Sequence, residues 1–181
     1  MPLNRILLIP ILALTVFQAS AQDIIKLDSL QLVVKQAKTD TARFRALIDL
    51  SHLYFSTDYV KSMEYAIQAK DLATAKDLKK HELTALTQMG NVAIAQGDYK
   101  QAATLFFNSL KEYEELKDTS GIISMNNNLG ASYDRMGEYD KALECYFTAQ
   151  ELMNASNLTE RKKVVLPTVY NNIANIYQTK G

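Results

Sequence analysis

The residues in this chain whose type and spacing could do chemistry are asparagines. Asn126, Asn127 and Asn128 lie together; Asn171, Asn172 and Asn175 form a second cluster, and Asn91 stands upstream of both. An amide side chain offers donors and an acceptor at once, so it can pair with the backbone of an extended chain without reading its side chains. Asparagine is also a mediocre helix former, about 0.6 kcal/mol worse than alanine per residue. Its repeated use inside helical segments therefore points to another role. Either these amides hold a ligand, or they tie neighbouring helices together, since buried amides find protein partners, or they simply face water.

Other chemistries lack their residues. The two histidines, His52 and His81, have no cysteine or carboxylate at ligand spacing, so no metal site is expected. Neither GxGxxG nor GxxxxGK[ST] occurs, and no cofactor is expected. The serines lack a nucleophile elbow. Neighbouring acids such as Glu114 and Glu115 read as a solvated helix face. Cys145 is the one cysteine, cannot form an internal disulfide, and reads as a small, half-buried helical residue. A helical enzyme is accordingly the weakest functional reading, and the chain is expected not to be an enzyme. With 20 basic and 20 acidic residues intermixed, the chain has no electrostatic footprint for nucleic acid. The short run Arg161-Lys162-Lys163 reads as a solvated helix start.

The elements that must position the asparagines are helices. Apolar residues recur three and four apart, as in Phe44, Leu47, Ile48 and Leu50, Leu53, Tyr54, and no strand-like alternation is present. All six glycines fall at or after residue 90, and Pro167 is the one proline beyond residue 21. Gly90 and Gly130, Gly97 and Gly137, Tyr99 and Tyr139, and Ala102 and Ala142 each stand 40 residues apart. Gly97-Asp98-Tyr99 and Gly137-Glu138-Tyr139 then read as the turn between two helices of one unit. Glycine ends the first helix in a left-handed conformation. The acid begins the second, beside its exposed N–H groups.

These residues carry a resemblance to the tetratricopeptide repeat family, whose pattern is W-x2-L-G-x2-Y, then A-x3-F, then P. One unit reads Leu86, Met89, Gly90, Ala93, then Ala102 and Phe106; the next reads Asn126, Leu129, Gly130, Tyr133, then Ala142 and Tyr146. A weaker first unit reads Leu47, Leu50, Ser51, Tyr54, then Ser62 and Ala66, one residue shorter between its small positions. A last half-unit reads Tyr170, Ile173, Ala174, Tyr177. The tryptophan and the closing proline are absent, and the longer period resembles the long-repeat branch found in exported sensory regions of bacterial histidine kinases and transcription regulators.

The fold expected is all-α, a right-handed α–α superhelical solenoid of helix pairs. A lead helix from Asp23 to about Lys38 caps repeats at about 40–78, 79–118 and 119–158, with a half-repeat at 159–181. Paired helices are expected at about Asp40–Ser56 and Tyr59–Leu78, His81–Gln96 and Tyr99–Lys117, and Thr119–Met136 and Tyr139–Ala155. A final helix is expected at about Thr159–Thr179. The resemblance implies that the first helices line a concave peptide-binding groove. It places Asn91, Asn127, Asn128, Asn171, Asn172 and Asn175 there, with Thr87, Asp134 and Gln178 nearby. Thr87 and Asn127 stand where the family's clamp for a C-terminal carboxylate carries lysine.

The first 21 residues read as a secretory signal peptide. Arg5 supplies the charge, Ile6 to Phe17 the apolar run, and Ala19-Ser20-Ala21 the cleavage site. Twelve residues are too few to span a bilayer, which needs about 20, and no later stretch qualifies as a membrane span. The chain is expected to be exported, periplasmic or extracellular. The leading function is an extracytoplasmic protein- or peptide-binding module of a signalling protein; the alternative is a free periplasmic scaffold assembling an envelope complex. The stripe Val169, Tyr170, Ile173, Ile176, Tyr177 predicts that the C-terminal face is covered by further repeats or another chain.

Overall fold

The computed structural model describes residues 25–156 and 159–181, and for residues 159–164 the helix path alone. The signal peptide reading lies outside the described residues. Helix α1 occupies residues 25–36 of them. There follow α2 (Asp40–Tyr54), α3 (Tyr59–Ala75), α4 (Lys79–Gln96), α5 (Tyr99–Glu115), α6 (Thr119–Arg135), α7 (Tyr139–Ala155) and α8 (Thr159–Lys180). No strand occurs among the described residues. From α2 to α8 successive helices pack on one another, and α2 also touches α4, as α6 touches α8. This is an all-helical solenoid, in which each unit buries its apolar face against its neighbours.

The helix boundaries follow from a few side chains. Thr39, Asp58, Asp98 and Asp118 each accept a hydrogen bond from the backbone N–H three residues on, capping α2, α3, α5 and α6. Glu138, at the corresponding place before α7, makes no such cap. Its longer carboxylate pairs instead with Lys141 Nζ at 2.5 Å. Gly97 (φ 81°) and Gly137 (φ 75°) end α4 and α6 in the left-handed region. There the N–H groups of Asp98 and Glu138 reach back to the carbonyls of Ala93 and Tyr133, each at 2.9 Å. Helices α3 and α5 end in the same closure without glycine. Asp77 and Lys117, 40 residues apart, both take φ 53°, and Leu78 and Asp118 reach back to Ala73 and Tyr113, again at 2.9 Å. The turn from α2 to α3 has no left-handed residue: Phe55 stays helical and the Asp58 N–H bonds the Tyr54 carbonyl at 2.8 Å. The residue missing from the first unit is thus the one that glycine supplies in the others.

Close crossings hold each pair. A Cβ added at Gly130 would stand 2.6 Å from Tyr146 Cε1, and one added at Gly90 would run into the Phe106 ring. Between units, Gly121 is closed in the same way by Tyr113. Around these crossings sit small apolar cores. Ala93, Ala102, Phe106, Met125 and Leu129 form one; Ala142, Leu143, Tyr146, Val169 and Ile176 form another that seats α8. Fully burying such an aliphatic or aromatic side chain is worth about 1.5–3 kcal/mol. Lys180 Nζ, 2.6 Å from Asp140 Oδ1, adds an exposed tie between α8 and α7.

Candidate functional groove

The first helices of the units, α2, α4 and α6, share one face with a cleft of about 330 Å³. Its walls are Ile48 and His52 from α2, Thr84, Thr87, Gln88 and Asn91 from α4, and Ser120, Gly121, Ser124 and Met125 from α6, with Tyr113 of α5 and Asp118 between α5 and α6 closing one end. A second hollow of about 350 Å³ shares His52, Gln88 and Asn91 with it and ends on Phe55 and Ile94. The two form a groove with hydroxyls and Asp118 at one end and apolar side chains at the other.

The joint between the two hollows is fixed by a polar network. Ser62 Oγ donates to the Ser51 carbonyl at 2.8 Å, and the Ser51 and Ser62 hydroxyls meet at 3.2 Å. Gln88 Nε2 donates to Ser51 Oγ at 3.0 Å, which turns Gln88 Oε1 towards His52 Nε2 at 2.9 Å. With the Gln88 oxygen as acceptor, His52 Nε2 must be the donor, so a neutral ring would present Nδ1 as an acceptor. Buried polar groups joined in this way specify one arrangement, because breaking any member strands the rest.

The structure brings two of the sequence-derived residues, Thr87 and Asn91, into this groove. The Thr87 hydroxyl donates to its own helix, at the Leu83 carbonyl, 2.8 Å away. Asn127, Asn128 and Asp134 are half-buried on α6. Asn127 Oδ1 is a buried acceptor with no hydrogen-bond partner. Asn171, Asn175 and Gln178 are exposed on α8. Asn172 is half-buried and its amide bonds the Tyr146 hydroxyl, so it links α8 to α7. Asn126 is buried, and its Nδ2 donates to the Ile122 carbonyl at 3.0 Å.

His52, Gln88, Phe55 and Ile94 were not singled out from the sequence. The repeat register held the signal for two of them. His52 follows Ser51 as Asn91 follows Gly90, and Gln88 stands 40 residues before Asn128. A further periodic feature also escaped: Ile67, Phe107 and Phe147, each 40 residues from the next, are exposed on the second helices. Lys111 Nζ lies 4.5 Å from the centre of the Phe107 ring.

Burial shifts the proton affinity of two groups in the third unit. Burial, with Asp134 adding to it, pushes the Tyr146 hydroxyl well above the usual tyrosine range. Burial, then the Glu144 charge, pushes the Cys145 thiol up to about 11. Cys145 therefore keeps its proton at neutral pH and is a poor nucleophile.

Fold and groove define a helical-repeat protein with a cleft of mixed polar and apolar lining along its first helices. The family model described as "Tetratricopeptide repeat" matches residues 81–155, which span the second and third units. Tetratricopeptide repeat protein 29 of Trypanosoma brucei brucei (strain 927/4 GUTat10.1) is 27% identical over 137 residues, 74% of this chain and 28% of that protein. Among solved structures, the apo form of RapI superposes with TM-score 0.75 at 17% identity, covering 89% of this chain and 45% of that one. A Rap protein complexed with competence and sporulation factor gives TM-score 0.66 at 17% identity, over 89% of this chain and 49% of the other. The chain thus spans under half the length of each of these relatives. At such identities the structural likeness establishes the fold, and the family is supported on the units that the family model covers.

Proposed function

We propose that this chain is an extracytoplasmic interaction module that holds an extended segment of a protein or peptide partner along the first helices, as the sensory or interaction region of a signalling protein. The observation that carries this reading is the groove itself, continuous from α2 to α6, with Asn91 at its centre. The Asn91 amide is placed to pair with a peptide backbone, Phe55 and Ile94 to receive an apolar side chain, and the hydroxyl end to solvate a polar one. That a Rap protein of this fold was solved complexed with competence and sporulation factor supports binding as the role. Export follows from the leader-like residues 1–21, and intact mass of the secreted protein checks it: the mature form should begin at Gln22.

Capture from envelope extract on residues 22–181 tests the groove. Asn91→Ala should lose most of the captured partner while the thermal melt stays within a few degrees. Equal capture by both proteins would remove the groove from the function.

A further inference from the structure

Each second helix carries one large apolar residue in the middle of its exposed side, at the same place in the repeat. These are Ile67 on α3, Phe107 on α5 and Phe147 on α7, exposed to 39%, 46% and 39%. Each directly follows the residue buried at the helix crossing and lies outside the core. One exposed phenylalanine needs no explanation, but a row of large apolar residues at one register marks an interaction surface. None of the three lines the groove.

The charges beside the two phenylalanines are of opposite sign. On α5, Lys100 stands seven residues before Phe107 and Lys111 four after it. On α7, Asp140 stands seven before Phe147, Glu144 three before and Glu151 four after. Such spacings put each set on the same helix face as its ring. All five are exposed, and Lys100, Lys111, Glu144 and Glu151 make no ion pair among the described residues. Helices α5 and α7 run in the same direction, because α6 returns between them.

We infer that this face joins two copies of the chain about a two-fold axis parallel to α5 and α7, with α5 of each copy against α7 of the other. Equivalent residues of successive units stand at about the same height along their helices. The axis therefore sets Phe107 against the partner's Phe147, Lys111 opposite the partner's Glu151 and Thr104 opposite the partner's Glu144. Lys100 faces the partner's Asp140, which Lys180 already holds within its own chain. Glu114 meets an uncharged amide, the partner's Asn154. A two-fold interface makes each contact twice, so phenylalanine rings form its centre and opposite charges its border. The other two-fold arrangements of the same face are poorer. An axis across the helices lays each second helix antiparallel on its own copy and brings Glu144 beside the partner's Glu151, and Glu64 beside the partner's Asp71. An axis between α3 and α5 leaves one pair of opposite charges, Asp71 with the partner's Lys111, and sets Lys100 opposite the partner's Val60. Facing like charges suppress an arrangement, and facing unlike charges fix its register. The surface shares no residue with the groove, so the inference stands or falls independently of the proposed ligand site.

Sedimentation equilibrium of the whole chain, from about 10 µM to about 1 mM, should show monomers in exchange with dimers. Phe147→Ser should leave monomers whose circular dichroism is unchanged. Exchange of sign reads the charge pairing. Lys111→Glu alone sets a carboxylate against the partner's Glu151, and Glu151→Lys alone sets an ammonium against the partner's Lys111. Each variant, changed at an exposed position and still folded by circular dichroism, should dimerise about tenfold more weakly or worse. Mixed in equal amounts, the two single variants should associate with each other, because in the mixed dimer every such pair is again of opposite sign. The chain carrying both changes should regain the native dimerisation constant to within about threefold. A contact between Lys111 and Glu151 of one chain would give no rescue on mixing, since each single variant keeps like charges within itself. A native chain that stays monomeric throughout, single variants that dimerise as the native chain does, or a mixture that associates no better than its parts would each overturn the inference.

Discussion

Between α2 and α3 the helix crossing is made by Ser51, Ser62 and Ala66, with hydroxyls bonded to each other and to Gln88 of the next unit. Between α6 and α7 it is made by Gly130 under the ring of Tyr146. One crossing is held by directed hydrogen bonds among small residues, the other by a void in one helix filled by an aromatic ring. Both sit at the same place in the repeat and both are fully buried at the second helix, where Ala66 and Tyr146 stand. What the two crossings share is a small residue on the first helix, Ser51 or Gly130; the residue that meets it differs in size and type. The polar solution adds a function, since Gln88, held by Ser51, is what positions His52 at the joint of the groove.

The sharpest way to break this comparison is to overfill the glycine crossing. Gly130→Leu should cost about 3 kcal/mol or more, because even its Cβ lies 2.6 Å from the Tyr146 ring and overpacking distorts both helices. Denaturant melts read this as a lowered midpoint; an unchanged midpoint would mean the crossing is not close. Gln88→Ala attacks the polar crossing. It leaves the Ser51 hydroxyl only its contact with Ser62 and releases His52, at about 1–3 kcal/mol. NMR of the His52 ring should report the release, and a fixed ring would show that Gln88 does not position it.

Alkaline titration should separate the two crossings without a clash. The fold holds the Tyr146 hydroxyl protonated, with its pKa raised above the unfolded value of about 10. The stability linked to that group is fully present below the unfolded pKa and is lost as pH rises above it. The serine crossing has no such group. Tyr146→Phe should therefore move the alkaline fall in melting temperature to higher pH, and an identical fall in both proteins would trace it elsewhere, Cys145 included. The smallest expected effect lies at the unit boundaries. Lys117→Gly relieves a left-handed side chain at φ 53° and should raise stability by about 0.5–1 kcal/mol, net of the entropy that glycine adds to the unfolded chain. Thermal melts would show it; a loss of stability would mean that the Lys117 side chain makes contacts that outweigh the backbone strain.

The helical segmentation was legible because its signals are local. Glycines at 97 and 137 and acids at 58, 98 and 118 mark ends that the backbone itself requires. Apolar spacing marks which face is buried, and the 40-residue offset fixes the register. The left-handed Asp77 and Lys117 carried no such mark, since neither is a residue type that φ 53° favours as glycine does. They adopt it because the next helix must turn back to pack.

The groove was less legible. The resemblance to the repeat family, read through the 40-residue register, puts Thr87 and Asn91 on the first-helix face, and both line the cleft there. What tertiary structure decided was which amides are taken up by the protein. Asn126 bonds its own helix, Asn172 bonds Tyr146 across a helix boundary, and Gln88 is recruited by a serine 37 residues away. A sequence states that an amide can donate and accept. Whether its partner is a neighbouring helix or open space depends on the distance between helices, and that distance is set by the side-chain volumes at the crossings.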